Sequence, residues 1–129
     1  MSQPEVRIGG VFDGVDPASG RPIVAPDHPR LDPAERDRVA GYLRAGTEVM
    51  STTARDVDQV DPTRGAVVPV SFRTDGAWVW SDEVAYYVET YGLAPEPDLY
   101  RHIVTSDYRP TTPDMAAIRR AHEALQPPG

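Results

Sequence analysis

The 129-residue chain contains no cysteine, which excludes disulfide bonds, thiol catalysis and cysteine-ligated zinc and fits a reducing compartment. No apolar run approaches the length of a membrane-spanning helix. Met1–Glu5 has no basic region, and no apolar core of the kind found in a secretory signal follows it. We therefore expect a cytoplasmic protein that does not associate with a membrane.

Lysine and asparagine are absent too, so all thirteen basic residues are arginine, against twenty aspartates and glutamates. The net charge of −7 argues against nucleic acid, whose phosphates need a basic footprint, and against an anionic membrane surface. An acidic surface favours encounter with a basic protein partner, although acidic surfaces also serve simply to keep proteins in solution.

The motifs of nucleophilic and cofactor chemistry are missing as well. There is no Gly-x-Ser-x-Gly elbow, and the glycines form neither a dinucleotide-binding pattern nor a P-loop. The three histidines, none of which has a second histidine at the spacing of helical metal ligands, are His28, His102 and His122. We expect no metal and no cofactor, and a binding protein rather than an enzyme.

One segment, residues 54–65, is acidic and contains Asp56, Asp58 and Asp61. Its resemblance to a calcium loop is superficial, because it lacks the central glycine and the distal glutamate of an EF-hand. We interpret it as a solvated surface loop whose three carboxylates steer a basic partner towards the protein.

The clearest helix is predicted between Asp32 and Gly46. Asp32 can cap it, Pro33 suits its first turn, and Glu35 completes a capping-box pattern while facing water. Gly46 is expected to end the helix in a left-handed turn. Further helices are predicted from a Ser81 cap to about residue 91, over residues 98–104, and after residue 112.

Strands are predicted in the middle of the chain, at Thr47–Thr53 and at Ala66–Arg73, and the second is followed by a hairpin. One helix, a cluster of strands and then more helices favour an α+β fold: a small, mainly antiparallel sheet with a central hairpin, packed by about four helices. The length suits a single domain over residues 1–129, with residues 1–30 as an irregular N-terminal arm or short hairpin.

Asp75-Gly76 is the strongest kind of two-residue hairpin turn. A type I′ turn there places Arg73 opposite Trp78 and Phe72 opposite Val79. The hairpin then has an aliphatic and aromatic face, made by Val68, Val70, Phe72 and Val79. Its other face, which we name the tryptophan face, is amphipathic and is made by Ser71, Arg73, Trp78 and Trp80.

The tryptophan face is the predicted binding surface, and the alternative is that its aromatic side chains simply form the core where the hairpin packs on its helix. We expect Trp78 to be at least partly exposed, with the Arg73 guanidinium over its ring, whereas Trp80 packs inside. Tryptophan and arginine dominate interface hot spots, so these two side chains are candidate anchors for a partner. The predicted partner-binding residues are Arg73, Asp75, Trp78, Asp56, Asp58 and Asp61.

Three pieces of sequence carry a resemblance: residues 68–80, which read Val-Pro-Val-Ser-Phe-Arg-Thr-Asp-Gly-Ala-Trp-Val-Trp, then Ala85-Tyr86-Tyr87, then Tyr91-Gly92-Leu93-Ala94-Pro95. Together they resemble a block found in small uncharacterised actinobacterial proteins. The resemblance implies an association with secreted-toxin gene neighbourhoods, in which small acidic cytoplasmic proteins act as immunity factors. It implies no catalytic residues.

The leading functional hypothesis is an acidic binding protein that neutralises a basic toxin domain by occluding its active site. One alternative is a structural or interaction module that forms a homo-oligomer through the tryptophan face. Another is a small-molecule enzyme with a site at the end of the hairpin, which would use Arg73, Asp75 or His102.

Overall fold

A computed structural model describes residues 6–126, so Met1–Glu5, on which the expectation about a secretory signal rests, and residues 127–129 lie outside the described part. Between residues 6 and 126 the chain forms four helices: α1 Pro33–Arg44, α2 Asp82–Tyr91, α3 Pro97–Thr105 and α4 Met115–Ala124. The expected α+β architecture, with a small and mainly antiparallel sheet, is confirmed. No helix within these residues is long and apolar enough to span a membrane.

A four-stranded sheet lies at the centre of the fold. Its strands are β1 Arg7–Gly9, β4 Thr47–Met50, β7 Phe72–Thr74 and β8 Trp78–Ser81. They lie in the order β1-β8-β7-β4. The β7–β8 and β4–β7 pairs are antiparallel, while β1 runs parallel to β8.

Two short hairpins stand beside the central sheet. They pair β2 with β3 and β5 with β6, and the strands are β2 Gly14–Val15, β3 Pro22–Ile23, β5 Arg55–Val57 and β6 Ala66–Pro69. The β2–β3 hairpin agrees with one form predicted for residues 1–30, but that prediction did not include β1. The predicted loop over residues 54–65 is wrong in part, because it holds β5 and a 3-10 helix, Pro62–Arg64.

The start of α1 agrees with the sequence, and its end does not. Asp32 caps it by accepting a hydrogen bond from the Glu35 amide. The Glu35 carboxylate does not face water as expected, because it accepts hydrogen bonds from the Tyr100 and Tyr108 hydroxyls. Gly46 does not adopt a left-handed conformation; a Cβ there would lie 2.6 Å from the Trp80 ring, so close packing explains this glycine.

The strand predicted at Ala66–Arg73 is two strands in different sheets. β6 pairs with β5 and ends at Pro69, which has no amide hydrogen to continue a ladder. β7 begins at Phe72 and pairs with β8 and β4. The interruption separates Val68, which is buried in the core, from the strand that carries Arg73.

The register predicted for the β7–β8 hairpin is wrong by two residues. Arg73 lies opposite Trp80, and Phe72 lies opposite Ser81. The Asp75 carboxylate accepts hydrogen bonds from the backbone amides of residues 77 and 78, which moves the turn one residue forward, onto Gly76 and the residue after it. A shift of two preserves the alternation of side chains, so both tryptophans still share one face with Arg73.

Candidate functional site

The face predicted to bind a partner is the buried core of the protein. Trp78 has a relative exposure of 4% and Trp80 of 0%, so the expected exposure of Trp78 is wrong. The guanidinium over the Trp78 ring belongs to Arg7, 4.4 Å from the ring centroid, instead of Arg73. Trp80 donates from Nε1 to the Leu43 carbonyl at 2.9 Å, and its burial is as expected. Helices α1 and α3 cover these rings.

Arg73 is engaged inside the fold. Its Nε lies 2.9 Å from an Asp82 carboxylate oxygen at the start of α2, and its Nη1 donates to the Gly46 carbonyl. The guanidinium therefore links β7 to α2 and to the end of α1. Arg73 lies opposite Trp80 instead of Trp78, and its hydrogen-bond partners do not include His102, with which the enzyme alternative grouped it.

Asp58 is fully buried, contrary to its expected place on a solvated loop. One of its oxygens accepts from the amides of residues 60 and 61, and the other accepts from the Tyr86 and Tyr91 hydroxyls, each at 2.7 Å. Burial by itself raises the pKa of Asp58, but these hydrogen bonds outweigh it and leave the pKa below its ordinary value. The carboxylate ties its loop to α2 and is closed to a partner.

The other two acidic residues of that segment differ from Asp58. Asp61 caps the 3-10 helix by accepting from the backbone amide of Thr63. Asp56 is exposed on β5 and lines a groove described below. Of the three carboxylates expected to steer a partner, Asp56 is the one that is exposed.

Asp75 and His102 meet at the end of the hairpin. Asp75 is buried; one of its oxygens accepts from two backbone amides of the turn, and the other accepts from the Tyr42 hydroxyl and lies 2.8 Å from His102 Nε2. Burial, followed by the hydrogen bond to Asp75, raises the pKa of Tyr42 far above its ordinary value. The side chain of His102 keeps 31% of its exposure, so the pair reaches the surface.

The second face of the central sheet is open at one end and forms a groove of about 690 Å³. Side chains of Ile8, Phe72 and Ser81 lie on this face, because they alternate with the residues of the tryptophan face. Ile8 is 55% exposed and Met50, at the edge strand, is 38% exposed. The groove thus has an apolar floor that the fold leaves in contact with water.

Acidic side chains surround this floor. Asp56, Glu83 and Glu96 all line the groove, and their carboxylates form no ion pair or hydrogen bond with any residue from 6 to 126. Burial, and then the nearby charge of Asp56, raises the pKa of Glu83 above its ordinary value. We name the surface made by Ile8, Met50, Phe72, Asp56, Glu83 and Glu96 the acidic groove.

Sequence reasoning missed most of the acidic groove. The sequence does predict that Phe72 lies on the face opposite to the tryptophans, and this part of the prediction is confirmed. Ile8 and Glu96 come from distant segments, and only the parallel pairing of β1 with β8 and the hydrogen bond from the Glu96 amide to the Gly10 carbonyl bring them together.

Among residues 6–126 there is no cluster of three or more histidine, aspartate or glutamate side chains arranged to hold a metal ion. No protein-family model, no curated protein and no solved structure matches the chain. The arrangement of its own residues is therefore the basis for a functional proposal.

Proposed function

We propose that the protein is an acidic binding domain that holds a basic segment of a partner protein in the acidic groove. The observation that carries the proposal is the combination of an exposed apolar floor with carboxylates that lack a cationic partner in the described part of the chain. A bound arginine or lysine satisfies both features, because its aliphatic stem covers apolar surface while its charged end meets a carboxylate.

The raised pKa of Glu83 supports the proposal from a second direction. In the free protein, burial and the charge of Asp56 disfavour the ionised form of Glu83. A bound cation stabilises the ionised Glu83 carboxylate. The free energy that this charge costs in the free protein is therefore recovered on binding. Charges that destabilise the free fold and are relieved by a ligand are typical of binding sites.

The overall charge of −7 supports a basic partner, since opposite charge accelerates diffusional encounter. Within the same proposal, the partner is a basic toxin domain and the protein is its immunity factor, acting by occlusion of the active site. The resemblance of residues 68–80, 85–87 and 91–95 to small actinobacterial proteins supports this narrower assignment.

The test compares two variants with the same net charge. The groove variant Asp56→Asn/Glu83→Gln and the control Asp37→Asn/Glu123→Gln each remove two negative charges, and the control residues are exposed on α1 and α4, outside the groove. Wild type, groove variant and control are used to retain proteins from a lysate of the cells that encode the chain. The association rate of the retained partner is then measured against salt.

We expect wild type and control to retain the same partner, the groove variant to lose it, and the association rate to fall as salt is added. Equal loss in both variants would show that net charge, and not the groove, is responsible. Retention by all three would also overturn the proposal, as would self-association of the chain through the groove. For the toxin assignment, an equimolar amount of the chain abolishes the activity of the purified partner; undiminished activity contradicts it.

A further inference from the structure

A second site lies at the end of the hairpin, on the tryptophan side of the sheet, and is independent of the acidic groove. It is centred on His102, which projects from α3 and contacts three aromatic or acidic neighbours: its ring centroid lies 6.4 Å from Trp78 and 6.5 Å from Tyr42, and its Nε2 bonds to Asp75. The ring is held on these sides while its side chain remains 31% exposed.

The contact with Asp75 fixes the tautomer of His102. A carboxylate only accepts hydrogen bonds, so Nε2 carries the proton in this pair. In the neutral ring the lone pair then belongs to Nδ1, which has no hydrogen-bond partner among residues 6–126. An imidazole oriented by a buried carboxylate, with its other nitrogen unengaged, has the arrangement that activates histidine as a base or nucleophile.

His102 also borders a cavity. It lines a space of about 360 Å³ together with the hairpin turn and the segment that leads into α4, including Gly76, Thr111 and Thr112. This volume accepts a small molecule, and the two threonine hydroxyls are donors for a carbonyl oxygen.

The three histidines form an internal series. His28 is buried, and both of its ring nitrogens are engaged, by Asp13 and by the Ala94 carbonyl. His122 is exposed on α4 and no carboxylate of residues 6–126 orients it; its Nδ1 lies 3.3 Å from Gln126 Nε2. His102 alone in this series combines an orienting carboxylate with exposure to a cavity.

We propose that His102 is a nucleophilic residue that accepts an acyl group from a small activated ester, with Asp75 as its positioning residue. The Nδ1 lone pair forms a bond to the acyl carbon, and the ester C–O bond breaks with its electrons leaving on the alcohol oxygen. The Nε2 proton stays on the ring, where the Asp75 carboxylate stabilises the positive charge. Water then attacks the acyl carbon and the C–N bond breaks. The proton that the water loses passes to the alkoxide, so the free imidazole, a carboxylic acid and the alcohol remain.

The first experiment measures release of p-nitrophenolate from p-nitrophenyl acetate by the full chain and its variants. His102→Gln lowers the protein-dependent rate by roughly tenfold or more, whereas His122→Gln leaves it unchanged. Near-ultraviolet circular dichroism of the two buried tryptophans checks that both variants fold. A His102→Gln rate equal to that of wild type overturns the proposal.

The second experiment needs no substitution. Diethyl pyrocarbonate carbethoxylates unprotonated imidazole, and peptide mass mapping follows each histidine of the native chain over time. We expect His102 to react first, His122 next and His28 last; reaction of His122 before His102 overturns the proposal. For Asp75→Asn, under conditions in which His28 stays unreactive, the rate at His102 falls and the rate at His122 does not. An unchanged rate at His102 contradicts the positioning role of Asp75.

Discussion

The two faces of the central sheet both carry aromatic and aliphatic side chains, but one face is buried and the other is partly exposed. One face carries Trp78 and Trp80, and helices α1 and α3 bury both. The other carries Ile8 and Phe72 and stays open at one end, with carboxylates around it. Val79, which alternates with the tryptophans, is also buried, so the second face is covered elsewhere along its length.

The difference shows that the identity of an aromatic residue does not decide whether it is a core residue or a binding residue. Tryptophan and arginine are common in hot spots, yet here they fill the core and link β7 to α2. Our proposal of a binding site therefore rests on an exposed apolar surface beside carboxylates that have no cationic partner between residues 6 and 126.

The largest effect is expected on the tryptophan face. Trp80→Ala removes a fully buried indole and its hydrogen bond to the Leu43 carbonyl, and we expect a loss of roughly 3–5 kcal/mol in the free energy of unfolding. Chemical denaturation followed by circular dichroism measures it. A loss below about 1 kcal/mol would mean that this face is not the core, and the comparison of the two faces would fail.

A smaller loss in the free energy of unfolding is expected from Gly46→Ala, which also affects the packing of the tryptophan face. The new Cβ would lie 2.6 Å from the Trp80 ring, so the ring or the backbone must move, at a cost of roughly 1–3 kcal/mol. Gly41→Ala is the matched control, because a Cβ there meets no atom within 4 Å. Thermal unfolding of both variants tests the difference, and equal melting temperatures would contradict it.

The free energy of unfolding is expected to depend on pH through Glu83, which lines the acidic groove. The pKa of Glu83 is raised above its ordinary value of 4.5, so the folded state disfavours the ionised carboxylate. The contribution of Glu83 to the stability of the wild-type protein therefore falls as pH rises from that value through the folded-state pKa, while Glu83→Gln has no carboxylate to ionise at this position. The stability of Glu83→Gln relative to wild type is expected to increase over this range. A decrease in denaturation experiments at several pH values would contradict a disfavoured charge at Glu83.

The smallest effect on stability is expected at the open end of the groove. Ile8→Ser changes a side chain that is 55% exposed, and we expect the free energy of unfolding to change by no more than about 0.5 kcal/mol. Partner retention should nevertheless fall. Denaturation and retention measured on the same sample separate the two effects, and a stability loss near that of Trp80→Ala would place Ile8 in the core instead.

Much of the local structure could be predicted, because caps and turns depend on neighbouring residues. Asp32 and Ser81 cap helices as expected, and Gly92 ends α2 in a left-handed conformation. The hairpin register could not be predicted, since it depends on the Asp75 carboxylate taking two turn amides while Tyr42 and His102 bond to its other oxygen.

The candidate site was less predictable than the fold, for a physical reason. Burial of Asp58 depends on hydroxyls that α2 brings from residues 86 and 91, about thirty positions away in the chain. Exposure of Ile8 depends on β1 joining the edge of the sheet, and no local pattern encodes that pairing. Long-range contacts decide which carboxylates are buried and which have no cationic partner between residues 6 and 126.

The most direct test of the groove uses a pair of methionines that the chain itself provides. Met50 lines the acidic groove, and Met115, which is 74% exposed on α4, lies outside it. A photoactivatable methionine analogue replaces methionine in a Met115→Leu chain and in a Met50→Leu chain, so that the two differ in whether position 50 or position 115 carries it, while Met1 is common to both. Each chain is irradiated with the retained partner, and peptide mapping assigns the crosslinks to positions. We predict crosslinks from position 50 to a basic segment of the partner and few from position 115. Crosslinking from position 115 alone would contradict the account.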